Sequence, residues 1–537
     1  MKNSLKIVCT LLVLAAMVMP ASAIMKHTQP VPSITKQSKE IYNPQIQRTV
    51  YETVSRTDFD PLDNHTFVTV NINEIRALKA IDLFSGPDFY VKIIINNQTF
   101  VSDVWQNMKY VEQPNVSFSC EVPKDQEFVN VVIELWDKNS GKDLLCDISP
   151  DYGNFTQART AELTYSIATG IWWGDDYLGD PSGYGRLNGC DDNSIYQADR
   201  DCELWFNITQ TDFDGDGLPY WLEVNVYNTS PLVNNRGEDA DHDGVPIEWE
   251  HTFGLTFIEW GHDQGYYMEY DPNVWENHTA LDPDIDGLNN IEEYKTSQWG
   301  SDPFRQDIFI EIDQMATGPN GEGGVLVPTL TYDLLRDSYS KHNIVWHIDD
   351  GRLGGGEWIP FKLNATRQDL SQWYMAYFMH GDANNWRRGV FRWAIVVYTS
   401  SMAHGFTFTS TINGKSSLDC FQIESIYHDK RGMQYFPLLV RGTLNKTLNR
   451  ALIYAGAMMH ETGHTLNIDG PGVDDFQGQL PWQVDYWRYG PYKSVMNYRY
   501  IYNGNIDYSD GSRGKNDYDD WAHLDLTLIN PGIHWGP

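Results

Sequence analysis

Met459-His460-Glu461-Thr462-Gly463-His464-Thr465-Leu466-Asn467 closes a stretch, 445–466, whose apolar residues recur at Leu448, Leu452, Ala455 and Met459. That spacing predicts a helix. Two histidines four apart on a helix project from one face, one turn apart, so both imidazoles reach a single zinc ion. Glu461 stands on the adjacent face and reaches a water on that ion. Zinc lowers the pKa of such a water to about 7, so a carboxylate can take its proton as the oxygen attacks a peptide carbonyl. The same acid can then protonate the leaving amine. The motif by itself also fits a helix with two surface histidines and a buried glutamate.

The surrounding residues narrow the choice. Upstream, Asp307–Asp313 alternates like a strand, 329–342 has helical spacing, and 344–348 and 391–398 read as strands. Residues 301–537 are therefore expected to form an α/β domain. Downstream comes Ser494-Val495-Met496-Asn497-Tyr498. This segment resembles the Met-turn of the metzincin clan of zinc endopeptidases, and helix, motif and turn follow the clan's order. The resemblance implies that His460 and His464 are the first two zinc ligands and Glu461 the general base. It implies that Met496 packs beneath the metal without ligating it, and that the Tyr498 hydroxyl stabilises the oxyanion. The clan places a glycine seven residues after the first histidine and a ligand three further on; here these are Asn467 and Gly470. Asparagine tolerates the left-handed turn that ends the helix. Asp469 is the first choice for the third ligand, followed by Asp474 and Asp475, with Asp507 and Asp510 more remote.

Residues 211–300 hold an internal repeat. Asp212, Asp214 and Asp216 are followed by Glu223; Asp239, Asp241 and Asp243 by Glu250; Asp282, Asp284 and Asp286 by Glu293. Each copy is D-x-D-x-D-G with glutamate at the twelfth position. Calcium takes six to eight hard oxygens, the sixth-position glycine permits the bend, and the last glutamate can bind through both oxygens. The loops resemble EF-hand loops and, since long paired helices do not flank them, thrombospondin type 3 repeats more closely. Structural Ca2+ that stiffens the segment is the expectation.

Residues 46–165 alternate in short strand-like runs, including 68–72, 89–95 and 128–136, and an antiparallel β-sandwich is expected. The runs SGPDFYVKI and VIELWDKNSGKDLLCD resemble the calcium- and phospholipid-binding sandwiches of the protein-kinase-C type. That resemblance implies loop carboxylates among Asp82, Asp88, Asp137, Asp143 and Asp147, and contact with lipid. Asn139 and Leu145 stand where further acids belong.

Lys2, Lys6, an apolar run over 7–19 and Ala21-Ser22-Ala23 read as a signal peptide, 1–23, and imply a secreted, extracellular protein. Residues 24–45 read as a linker or short pro-segment, and 166–210 as a connecting segment. Nine Asn-x-Ser/Thr sequons fit a glycoprotein. Beyond Cys9, five cysteines remain, with Cys120–Cys146 and Cys190–Cys202 expected as disulfides by proximity. A net charge of −34 repels phosphate backbones and argues against nucleic acid as a partner. The chain is thus read as multidomain: sandwich, calcium-loop linker and metzincin-like α/β domain. Two functions fit. One is a secreted zinc endopeptidase acting on protein or peptide. The other is a calcium-dependent adhesion protein with an inactive protease-like domain, whose sandwich contacts lipid or glycan.

Overall fold

The computed structural model describes residues 38–529 apart from 44–47, 54–57, 83–84, 154, 261–262, 323–326, 413–414, 435–445, 472–477 and 479. The signal segment, most of the 24–45 linker, and Asp474 and Asp475 lie outside the described residues.

Two antiparallel sheets face each other in the N-terminal half. One runs β11 (Arg186–Asn188), β12 (Cys202–Gln210), β3 (Thr66–Ala77), β6 (Tyr110–Val122). The other runs β10 (Trp172–Gly174), β9 (Ala161–Ser166), β7 (Phe128–Asp137), β4 (Phe89–Ile95), β5 (Gln98–Val101), with β8 (Leu144–Leu145) added to β7. Phe89, Val91, Ile93 and Ile95 alternate inward along β4, and Val68, Val70 and Ile72 do so along β3; all lie in one core. The period of two turns one face of each sheet into that core. The expected sandwich is present, but two boundaries move. β11 and β12 belong to the segment read as a connector at 166–210, yet β12 pairs along most of β3. Leu204, Phe206 and Ile208 alternate inward there, a strand pattern masked by the acidic run before it. Within the 24–45 linker, β1 (Ser38–Asn43) pairs with β2 (Arg48–Thr53), and these join the hairpin β14 (Asp263–Met268) and β13 (Leu255–Trp260) in a separate sheet.

The disulfide expectation is corrected. All five described cysteines are free and buried. Cys120 stands beside Val68 and Cys202 beside Ala77, at opposite ends of β3. Cys146 lies against Cys202 instead, and the Cys190 thiol donates to Asp201 at 3.1 Å. Sequence proximity is a poor guide where strands carry neighbours in opposite directions.

The C-terminal half is a mixed sheet in the order β16 (Val345–Asp349), β15 (Asp307–Met315), β18 (Phe391–Val397), β20 (Lys415–Glu424), β19 (Gly405–Ile412), with β17 (Trp358–Ile359) also on β15. All pairings are parallel except β19, which closes one edge antiparallel to β20. β15 is buried along its whole length. Ile308, Ile310 and Ile312 enter the core shared with helices α1 (Thr329–Ser340) and α2 (Lys446–Thr465); Phe309 and Met315 enter the opposite one. A parallel strand covered on both faces needs such a run. Near Trp521 the chain makes two short 3-10 turns, Trp521–His523 and Leu526–Ile529.

An ion-pair knot ties the sandwich to α1. Arg76 of β3, 1% exposed, reaches Asp333 and Asp337 of α1 at 3.2 Å each. Lys109 and Tyr110 of the neighbouring segment also donate to Asp337, at 2.5 and 2.6 Å. Asn188 donates to the Ser340 carbonyl at 2.7 Å. Removing one member of a buried pair strands the others. Arg76→Ala is therefore expected to cost about 3 kcal/mol. Chemical denaturation against the parent chain measures it, and a loss below about 1 kcal/mol would show a surface-type pair.

Candidate metal centre

α2 carries the two histidines and ends at Thr465, one residue beyond the second of them. Asn467 adopts φ 63°, the left-handed conformation its residue type allows. The amide of Ile468 bonds the Gly463 carbonyl at 2.9 Å and that of Asn467 bonds the His464 carbonyl at 3.3 Å. This is the six-to-one and five-to-two closure of a helix end.

The imidazoles converge as their spacing requires. Nε2 of His460 lies 3.3 Å from Nε2 of His464. Two nitrogens held at zinc-bond length, about 2.0–2.1 Å, at a tetrahedral angle stand roughly 3.3 Å apart. Nδ1 of His460 donates to the Val495 carbonyl at 2.9 Å. That bond fixes the tautomer and puts the lone pair on Nε2. Val495 belongs to the turn 494–497, so the segment read as a Met-turn directly orients the first imidazole. Met496 is fully buried beneath the helix, and a Cβ on Gly463 would stand 2.5 Å from its sulfur. The Tyr498 ring is centred 5.4 Å from that of His460.

Glu461 is 6% exposed and faces the edge strand. The Thr407 hydroxyl of β19 donates to its Oε2 at 2.8 Å. Gly405 leaves the room: a Cβ there would fall 2.1 Å from Oε1 of Glu461. Neither residue was singled out from the sequence; the Asn413-Gly414 pair, a hairpin signal, was the clue to β19 and β20.

The first choice for a third ligand is not met. A donor on the same ion would stand roughly 3.3 Å from Nε2 of His464. Asp469 instead approaches Nδ1, at 3.8 Å, with its side chain 89% exposed. The chain leaves the helix through the Asn467 turn before Asp469 can swing under the ring. Asp507 accepts from the Trp521 indole and Asp510 pairs with Arg513.

The helix also packs on the chain beyond the turn. A Cβ on Gly456 would lie 2.1 Å from the Ile501 carbonyl oxygen. Backbone cannot yield as a side-chain end can. Gly456→Ala should destabilise the domain by about 3 kcal/mol, the upper end of the overpacking range. Its thermal midpoint tests this; an unchanged midpoint would mean that helix and turn are not in contact.

The three acidic loops have one geometry. The sixth-position glycines, Gly217, Gly244 and Gly287, have φ of 95°, 107° and 95°, and each amide bonds the first aspartate of its loop. Oxygens of Asp214, Glu223, Asp241, Glu250, Asp284 and Glu293 are buried without a hydrogen-bond donor. Burial first, then repulsion from neighbouring acids, pushes Glu223 to about 8, Glu250 to about 10 and Asp284 to about 11. Orphaned carboxylate oxygens around a tight loop are the donor set a hard cation takes. The third loop is also mortised into the α/β domain, since the Asp307 amide at the start of β15 bonds Asp286 at 2.8 Å.

At the sandwich end the acids are more fully engaged. Asp137 accepts from the Asp88 amide and the Asn139 carboxamide, both at 2.8 Å, and Asp143 accepts from Tyr90. Asp147 is not among them: it groups with Asp199 and Asp201, beside Lys79 and Arg159.

No family profile matches the chain, and no curated protein does. Among solved structures it is similar to human GIVD cytosolic phospholipase A2 (16% identity over 27% of this chain and 17% of that one, TM-score 0.16). It is also similar to a C2 domain (15%, over 28% of this chain and 99% of that one, 0.17) and to a C2 domain of plant Extended Synaptotagmin 1 (14%, 26% and 92%, 0.17). The chain spans about a sixth of the phospholipase. Scores this low add nothing to the strand order of the sandwich.

Proposed function

We propose that this chain is a secreted, metzincin-like zinc endopeptidase braced by calcium loops. The observation that carries the reading is the 3.3 Å approach of the two Nε2 atoms, beside Glu461, with the first ring oriented by the carbonyl of Val495. His460 and His464 would hold the ion. Zinc, when bound, supplies Lewis acidity that polarises a peptide carbonyl and acidifies a water. The chain's own residues do the rest. Val495 keeps His460 in its ligating tautomer. Thr407 fixes the Glu461 carboxylate, which takes a proton from the attacking water and returns it to the departing amine. Tyr498, next to His460, donates to the developing oxyanion. β19 ends the sheet beside Glu461, and an extended peptide can add to such an edge through its main chain.

The loop acids Asp212, Asp214, Asp216 and Glu223, with their counterparts in the second and third copies, hold Ca2+ as structural ions. Lipid contact by the sandwich belongs to the same proposal, on the resemblance its sequence carries. The test of the enzyme is cleavage of unfolded casein by the mature protein. A zinc chelator should abolish it and stoichiometric zinc restore it. Cleavage that persists after zinc is removed would sink the assignment. The exposed position of Asp469 favours one rival, a calcium-dependent adhesion protein with an inactive centre; no cleavage by a zinc-loaded chain would select it.

A further inference from the structure

The three loops share a long-range bond. In each, the fifth-position aspartate accepts a backbone amide from a later segment: Asn235 on Asp216 at 2.9 Å, Glu276 on Asp243 at 3.2 Å, Asp307 on Asp286 at 2.8 Å. The bond spans 19 and 21 residues in the first and third copies and 33 in the second. The β13–β14 hairpin accounts for the difference. In the second copy the segment that returns also brings side chains. Glu276 and His278 stand with Asp243 and Glu250 as four donors whose ligand atoms lie within 4.8 Å of one another. The corresponding residues elsewhere turn away: Asp307 to Arg305 and His347, Asn235 to Glu238.

His278 is fully buried, set edge-on between Trp249 and Tyr270. Its Nε2 lies 3.0 Å from Oδ2 of Asp243 but off the line of a hydrogen bond, and makes no hydrogen bond. Oε1 of Glu250 and Oε2 of Glu276 lack donors too. On the other side of the ring, Nδ1 is 2.9 Å from the Asn290 amide nitrogen, while the Asn290 carbonyl oxygen is buried and unpaired. In the other orientation of that amide its oxygen accepts Nδ1–H, and the Nε2 lone pair then faces the three carboxylates.

We propose that Glu276 and His278 join Asp243 and Glu250 in a mixed nitrogen–oxygen site that takes a first-row divalent transition metal in preference to calcium. The assignment rests on the second loop being a cation site and departs from that reading in the ion. Calcium is held by hard oxygens, and a buried neutral imidazole offers it little. The same imidazole with carboxylates suits zinc, cobalt or iron.

The test uses the full mature chain with His460→Ala and His464→Ala, which removes the other imidazole pair. It is loaded with cobalt(II) and dialysed against excess calcium. Retention of about one cobalt per chain is expected. Adding His278→Gln, or separately Glu276→Gln, should weaken cobalt binding roughly a hundredfold, with calcium content at the first and third loops unchanged. Should His278→Gln fail to fold, Glu276→Gln is the milder change, and pulsed EPR of bound manganese(II) needs no substitution at the loop. A nitrogen coupling is expected there. Loss of all cobalt before these substitutions, indifference to both of them, or absence of that coupling would overturn the proposal. Calcium uptake by all three loops without cobalt removes this assignment alone; no calcium uptake at all removes the loop reading itself.

Discussion

Glu461→Gln should leave the chain folded and its metal content intact while lowering kcat on an unfolded protein substrate by roughly 10²–10⁴-fold, the usual worth of a positioned proton-transfer group. The substitution keeps volume and shape. The Thr407 hydroxyl that donates to Oε2 can donate equally to an amide oxygen. What disappears is the basic oxygen that takes a proton. KM should move little, because the carboxylate is assigned to the transition state and not to substrate binding. Thr407→Val tests the positioning role separately. It leaves the base in place with one anchor fewer, so its loss should be smaller than that of Glu461→Gln. Undiminished turnover by the Gln variant would end the assigned mechanism, whatever the zinc content.

Removing calcium should lower stability more than any single substitution. A cation that binds only the folded chain adds about 2.7 kcal/mol at a hundred times its dissociation constant. The first and third loops, saturated, then contribute about 5 kcal/mol, comparable to the whole stability of a marginal domain. The thermal midpoint should fall by on the order of 10 °C or more on chelation and recover on adding calcium. The effect should grow with pH. In the cation-free fold Glu223 is pushed from its ordinary 4.5 to about 8, chiefly by burial. A carboxyl raised in this way holds its proton more tightly folded than unfolded. Its contribution is present below about 4.5 and is lost as pH rises through about 8. The cation-free chain should therefore be weaker at pH 9 than at pH 5, whereas calcium, which compensates the ionised acids, should flatten that dependence. Melting curves with and without calcium across this range decide it; equal midpoints throughout would remove the cations from the account.

Much of this was legible because some chemistry is local. The helix of His460 and His464 follows from a 3.6-residue repeat, and the loops of Asp212, Asp239 and Asp282 from alternating acids before a glycine. The Asn467 turn follows from residue type. What was not legible depends on partners distant in sequence. β12 pairs with β3 across more than a hundred residues, so a segment read as a connector is the middle of a sheet. Thr407 and Gly405 act on Glu461 only because β19 folds back to the sheet edge. Cys146 meets Cys202 through a bridge between the neighbouring Asp147 and Asp201, which spacing along the chain does not reveal. Asp469 was chosen by sequence distance, and the direction in which the chain leaves its helix overrides that distance.

The Arg76 knot has a mechanical reading. Two rigid bodies joined by a loose tether sample many angles, but here β3 is clamped to α1 by a buried cation and two acids, with Asn188 as a second fastening. The imidazole pair of His460 and His464 is then held at one height and one bearing relative to the sandwich. On the proposed reading, a centre anchored in this way acts on what comes within a fixed reach and does not sweep the ground around it.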